Sequence, residues 1–379
     1  MTTIFVCGDI INSEKISGLL CSDELAGVIS SADYAIGNFE APVQGAGTPQ
    51  PKSGIHLQQQ IETIHGLKQQ GFDLLLLANN HIMDFGEAGL AATIAIAQKE
   101  GLEYLGAGFN FATAYKPLVK KINNIKIGMI NAGEAQFGVI DHFQGASEAG
   151  YAWINHPYID KLILRLKSEC DYVLVFSHAG LENYPIPQKE WRIRYKHFCD
   201  LGADLVIGSH PHVAQGYESY QNSLIFYSLG NFYFDHINYR NNENRSFAIL
   251  LTLSEKNKFI EFTPVFHHTQ NGQVQLSPPE KKININDLCA HLEKNYFELH
   301  DRMSLESYEK IRQNLLYSLL PIPYTGNIYT SLRRMASIII KREKIDKTLL
   351  QLHLLKNESY YYAARHALEV KARERYSKI

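Results

Sequence analysis

The side chains best suited to chemistry stand where short apolar runs give way to polar residues. Asp9 closes IFVCGD, Glu40 follows YAIGNF, Asn79-Asn80-His81 follows DLLLLA, His178 follows DYVLVFS, and His210 and His212 follow ADLVIGS. Carboxylates, amides and imidazoles make an oxygen and nitrogen donor set. Such a set, with no cysteine in it, suits Mn, Fe or Zn far better than a soft copper site. In extended chain, residues i and i+2 point to the same side, so the His-Pro-His spacing predicts both rings facing one site. Pro211 favours that geometry by biasing His210 toward extended backbone. Each residue also has an ordinary role. A histidine after a strand can be a satisfied or exposed side chain, and Asp9 beside Gly8 suits an Asx turn. Glu40 before Ala41-Pro42 can be solvated, and Asn79-Asn80 can be turn residues. Gly8, Gly37, Gly180 and Gly208 can simply permit tight turns. The ordinary readings would all have to hold at once, at the same end of successive runs, and that favours a shared site.

Positioning these groups requires a sheet. IFVCGDI, YAIGNFE, DLLLLANNH, IKIGMINAG, DYVLVFSHAG and ADLVIGSHPH read as buried strands breaking into loops. Helical patterns lie between them at 61–70, 88–101 and 157–169, which implies βαβ units and a largely parallel sheet. Ligands of such sheets gather outside the carboxyl ends of the strands. From about residue 224 the runs SLIFYSLGNFYF, FAILLTLS and KFIEFTPVFHH follow with little helix between them, predicting antiparallel additions or a second sheet. The expected fold class is α/β, an αββα sandwich with a mostly helical C-terminal extension. The polar stretch TQNGQVQLSPPEKK marks a boundary. Residues 1–270 are then the main domain, 271–284 a linker, and 285–379 the extension, interrupted by PIPYTGN at 321–327.

Composition narrows the classes. With 45% hydrophobic and 20% charged residues over 379 positions, wholesale disorder is excluded. Cys7, Cys21, Cys170, Cys199 and Cys289 are scattered, without CxxC spacing, which argues against a disulfide framework or thiolate zinc and fits a reducing compartment. The strand TTIFVCGDI starts almost at once, and no run approaches the roughly 18 apolar residues of a membrane span. The expectation is a cytoplasmic protein without a transmembrane segment. Residues 285–379 carry 16 Lys+Arg against 11 Asp+Glu, which suits either an anionic partner or a solvated helical face. The aromatic and basic stretch YYYAARHALEVKARERY reads as packing surface with a charged outer face, so nucleic acid is not an expected partner.

In their order, GD at 8–9, NFE at 38–40, ANNHIMDFG at 78–86, SHAGLE at 177–182, GSHPH at 208–212 and YSLGNF at 227–232 resemble the bacterial CapA family. That family is linked to capsule and poly-γ-glutamate synthesis and is a branch of the calcineurin-like metallophosphoesterase superfamily. The resemblance covers roughly residues 3–270 and implies a metallophosphoesterase-like sandwich with one or two divalent ions. It places Asp9 and His212 on a first metal and Asn80, His178 and His210 on a second. Glu40 takes the bridging position, with Asn38 as the neighbouring alternative. His81 would act near the leaving group. Asp84 would orient His81 or serve as a helix N-terminal carboxylate, and Glu182 is an orienting or substrate-facing candidate or an exposed loop residue. Ser228 and Asn231 resemble positions near the site. The superfamily usually has a histidine two residues after its first aspartate, and this chain has Ile11, so the first metal position is short of a ligand.

The implied activity is a metal-dependent hydrolase acting on a phosphoester or related bond. The implied partners are an anionic polymer or phosphorylated substrate and members of a biosynthetic complex. Two other roles fit the same residues: processing or transfer of a glutamyl amide polymer, and a non-catalytic biosynthesis factor that retains the fold.

Overall fold

Period-two alternation assigns the first strand, Thr2–Ile11, two apolar faces. Ile4 and Val6 enter one cluster and Phe5 and Cys7 another, and a register shift at Asp9 brings Ile10 to the side of Phe5. The computed structural model describes residues 1–142, 147–235, 245–255, 259–319 and 346–376. Among these residues the chain divides into two compact units, one of Met1–Gln50 with His56–Tyr296 and one of Pro51–Ile55 with Phe297–Ile379.

The first unit holds an eight-stranded sheet in the order Gln273–Leu276, Ile260–Gln270, Ser246–Leu253, Thr2–Ile11, Tyr34–Phe39, Leu74–Leu76, Glu103–Leu105. Its eighth strand, Asn231–Phe234, pairs in parallel with the end of Thr2–Ile11. Pairing is parallel from Thr2–Ile11 through Glu103–Leu105 and antiparallel on the other side, as the change of pattern after residue 224 predicts. A six-stranded sheet runs Tyr217–Tyr220, Ser223–Phe226, Leu205–Ser209, Tyr172–His178, Ile125–Gly133, Leu118–Ile122, with parallel pairing at its centre.

The two sheets share one apolar layer, in which Ile4, Val6, Ile36 and Leu74 meet Met129, Leu174, Phe176 and Ile207. On the outer face of the first sheet, helices Asp23–Ser30, Glu62–Gln69 and Gly86–Lys99 bury Leu25, Ile29, Ile64, Leu67, Leu90 and Ile94 in the cluster that holds Phe5 and Phe72. Helices Pro157–Glu169 and Lys189–Asp200 cover the second sheet with Leu162, Leu166, Trp191 and Tyr195. Helix, sheet, sheet and helix form the expected four layers.

SLIFYSLGNFYF does not continue as one sheet strand. Ser223–Phe226 belongs to the second sheet and Asn231–Phe234 to the first, so the chain crosses between sheets over Tyr227–Gly230. Two glycines admit this crossing. A Cβ on Gly208 would stand 2.0 Å from the Tyr227 carbonyl oxygen, and one on Gly8 would stand 1.8 Å from that of Gly230.

The expected linker, 271–284, instead contributes the paired strand Gln273–Leu276 and a short 3-10 turn, Pro279–Lys281. Helix Ile285–Glu293 then packs beside Tyr217–Tyr220 within the first unit, where the Tyr217 N–H donates to Cys289 Sγ at 3.4 Å. In the second unit, helices Thr348–Lys356 and Glu358–Tyr376 bury Leu354, Ala363, Ala367 and Val370, and Lys371 pairs with Glu309 at 2.5 Å. The interruption PIPYTGN lies outside the described residues. Among the described residues no helix is long and apolar enough to cross a membrane.

His267 on Ile260–Gln270 is buried edge-on to Phe232, with neither ring nitrogen hydrogen-bonded. Burial, with His268 beside it, pushes its pKa down to about 3. The unfolded chain takes this proton near 6.5, so stability present at neutral pH falls as pH drops from 6.5 toward 3. Between pH 7 and pH 5 the loss from this group is about 2 kcal/mol, and His267→Leu should remove it in paired urea titrations. An equal pH slope in both proteins would contradict the assignment. In the same assay Gly208→Ala should cost about 1–3 kcal/mol through overpacking. Gly27→Ala, on an open helix face with nothing within 4 Å, should stabilise by up to about 1 kcal/mol.

Candidate metal centre

The parallel strands of both sheets end on a common rim. Asp9 sits at an irregularity: register slips between Cys7 and Asp9 against one neighbour and between Asp9 and Ile10 against the other. Such a bulge re-aims a side chain. Glu40 follows Tyr34–Phe39, Asn80 lies four residues beyond Leu74–Leu76, His178 ends Tyr172–His178, and His210 and His212 follow Leu205–Ser209.

The His-Pro-His backbone is not extended. His210 has φ 96° and His212 φ 60°, so the same-side argument from i and i+2 spacing does not describe this turn. The strand stops at Ser209, and the turn aims the His210 N–H at Asp9 Oδ2, 3.2 Å away. Ala41, directly after Glu40, has φ 143°. Non-glycine residues in this region cost on the order of 1–3 kcal/mol each and persist where surrounding contacts over-determine them.

Asp9 Oδ1 accepts from Asn38 Nδ2 at 2.7 Å, and the same amide donates to His178 Nδ1 at 3.1 Å. That leaves the His178 ring proton on Nε2, which donates to Asn80 Oδ1 at 3.1 Å. Glu40 Oε1 lies 3.7 Å from His178 Nε2 and 3.9 Å from His212 Nε2, yet neither Glu40 oxygen has a hydrogen bond. His210 Nδ1 also lacks one. Donor atoms of Glu40, His178 and His210 lie within 4.8 Å of one another, as do those of Asp9, Glu40 and His212. The two groups share Glu40.

Burial, with repulsion among the clustered imidazoles, holds His178 and His210 well below the ordinary histidine range. Burial pulls His212 the same way, but the Glu40 and Asp9 carboxylates outweigh it and hold it well above. Burial raises Glu40, against the opposing charge of His212. Glu40 and His212 are therefore electrostatically linked, and a divalent cation would compete with protons for both.

The remaining sequence candidates surround this group. His81 Nδ1 is 2.7 Å from Asp84 Oδ2, which also accepts from the Leu57 N–H at 2.7 Å, so Asp84 is a buried partner of His81. Glu182 brings a carboxylate oxygen within 4.8 Å of His210 and His212 donors. Asn231 Oδ1 is 3.0 Å from His212 Nδ1, and Ser228 Oγ accepts from the Gly230 N–H in the crossing between sheets. Ile11 packs with Ala41, Leu57 and Phe234 in a small apolar cluster.

Two participants escaped the sequence reading. Glu134 directly follows Ile125–Gly133; its Oε1 lies 3.6 Å from His210 Nε2, and its Oε2 accepts from the Gly180 N–H at 3.2 Å. Gln136 donates to Glu134 at 2.5 Å, touches His210 Nε2 at 3.2 Å and accepts from Asn80 at 3.3 Å. The rule that exposed the others, a donor residue just past a strand, also marks Glu134 in NAGEAQ.

The donor set fits a divalent cation. A buried carboxylate with two unpartnered oxygens beside three imidazoles is unfavourable without a cation, and the surrounding donors are all nitrogen and oxygen.

Residues 3–236 match the family described as bacterial capsule synthesis protein PGA_cap. A capsule biosynthesis protein CapA of Bacillus anthracis is 34% identical over 216 residues, 55% of this chain and 52% of that protein. The chain thus spans about half the length of that relative. A PGA biosynthesis protein CapA of Bacillus subtilis is 32% identical over 267 residues, 69% of each chain. Among solved structures, a phosphatase of Mycoplasma pneumoniae aligns at 15% identity with TM-score 0.43, over 79% of this chain and 98% of that one. With its motifs, its sandwich and the match over residues 3–236, the chain belongs to the bacterial capsule synthesis family PGA_cap.

Proposed function

We propose that this protein is a metal-dependent hydrolase that acts on a phosphoester or related bond during synthesis of an anionic capsule polymer. The observation that carries the reading is Glu40, buried without a hydrogen bond where two donor groups meet. Asp9, Glu40 and His212 would hold one divalent ion, and Glu40, Asn80, His178 and His210 a second. With Ile11 in an apolar cluster, the first position draws on fewer protein ligands than the second. A bound ion would supply Lewis-acid charge that polarises a substrate oxygen and stabilises the negative charge developing there.

The chain's own groups supply the rest. Asp84 accepts from Nδ1 of His81 and so would stabilise the imidazolium form, whose Nε2 proton goes to a leaving oxygen. Glu134 and Gln136 hold His210 from behind, and Asn231 holds His212. Glu182 would face the substrate from the loop after Tyr172–His178. The five cysteines are free, which supports a reducing, cytoplasmic setting. The partners would be the polymer itself or a phosphorylated precursor, within a biosynthetic complex.

A second reading, hydrolysis or transfer at a glutamyl amide, is favoured by the likeness to a PGA biosynthesis protein. The same charge stabilisation serves an amide carbonyl.

Elemental analysis of purified protein should find Mn, Fe or Zn, and His210→Ala/His212→Ala should lose the metal of this rim. Unchanged metal content in that variant would sink the site. In a screen of chromogenic phosphomonoesters, phosphodiesters and glutamyl amides with added Mn²⁺, His81→Ala should lower kcat by about 10²–10⁴-fold. Asp84→Asn should lower it less while metal content holds. Silence of the wild-type protein on all three substrate classes would leave a non-catalytic factor as the better account.

A further inference from the structure

The helical unit holds a separate cluster of donors that the strand-rim site does not use. His300 and Asp301 stand near the start of helix Tyr296–Leu319, and His366 in the middle of Glu358–Tyr376. His300 is 2% and His366 7% exposed, and their rings meet edge to face with centroids 4.4 Å apart. His366 Nε2 lies 2.6 Å from Asp301 Oδ1, and donor atoms of all three residues fall within 4.8 Å of one another.

The surroundings of His366 give this cluster direction. Its other nitrogen, Nδ1, lies 3.6 Å from Glu369 Oε2, one turn along the same helix. The 2.6 Å contact carries a proton between Nε2 and Asp301 Oδ1, while Glu369 lies where it can accept the ring proton on Nδ1 once Nε2 gives its lone pair to an ion. Metal-ligating histidines characteristically have an outer partner of this kind. Arg373 approaches Asp301 through the opposite oxygen, Oδ2, at 3.6 Å, and leaves Oδ1 to the cluster.

We propose that His300, Asp301 and His366 form a second divalent-metal site, of the Zn²⁺ class, within the helical unit, with Glu369 orienting His366. Two imidazoles and one carboxylate supply three ligands of a tetrahedral site and leave the fourth place to water. The bound ion takes the place of the proton in the His366–Asp301 contact, and the ring then keeps its proton on Nδ1, facing Glu369.

The test is Zn²⁺ titration of the chelator-stripped full chain by calorimetry, repeated with Co²⁺ by absorbance. The variant His210→Ala/His212→Ala should still bind one equivalent. Adding His366→Gln or His300→Ala should abolish that equivalent, and Glu369→Gln should weaken it about 10–100-fold. No uptake by the rim variant overturns the proposal. So does uptake indifferent to His300→Ala and His366→Gln while helical circular dichroism is retained, which leaves a hydrogen-bonded clamp. If those variants lose helicity, Glu369→Gln decides alone, since its side chain is 51% exposed and unchanged affinity would overturn the site. A wild-type chain whose sole Zn²⁺ survives His210→Ala/His212→Ala and is lost with His366→Gln supports this site and removes the rim site instead.

Discussion

A carboxylate buried at 0% exposure with no hydrogen bond sets the terms for the first unit. Removing Glu40 from water costs several kcal/mol unless positive charge answers it. The chain's own positive charge here is His212, which Glu40 and Asp9 hold well above the ordinary histidine range, with the ring of His178 as a further polar neighbour. Strand Tyr172–His178 delivers one ring from the second sheet, and the turn after Leu205–Ser209 delivers another. Both sheets must therefore be in register at one rim before the charge is compensated.

That requirement explains the backbone irregularity found there. The bulge at Asp9, the positive φ of Ala41, His210 and His212, and the close approaches at Gly8 and Gly208 all lie within a residue or two of a donor. Regular strands supply the platform. Departures from regularity aim the side chains, and the interlayer of Ile4, Val6, Leu174 and Ile207 supplies the packing that holds them in place.

Much of this was legible in the sequence. Apolar runs ending in donor residues marked the strands and the rim, and Asp9, Glu40, Asn80, His178, His210 and His212 do gather there. Helix Pro157–Glu169 matches its expected bounds because Pro157 and the His156 cap define a start that periodicity then extends. The backbone at His210 and His212 was not legible, because local preference around Pro211 favours extended chain while the tertiary bond to Asp9 requires a turn. The jump between sheets inside SLIFYSLGNFYF was hidden for a similar reason: hydrophobicity reports burial, not which sheet does the burying. The strand within 271–284 was masked by its polar composition, since Gln273–Leu276 is an outer strand with only Val274 fully buried.

The crossing at Tyr227–Gly230 also bears on when a competent site can exist during synthesis. Asn231 pairs beside Asp9 and supports His212, so contacts more than 200 positions apart in sequence must close before the rim is complete. Contacts of such separation form late and slowly, after their loop-closure entropy has been met. A ribosome that has released only the first 200 residues has already made Asp9, Glu40, Asn80 and His178, but neither histidine of the last turn nor its brace. The nascent chain therefore has four of the rim's donors and no closed site until most of the first unit has folded.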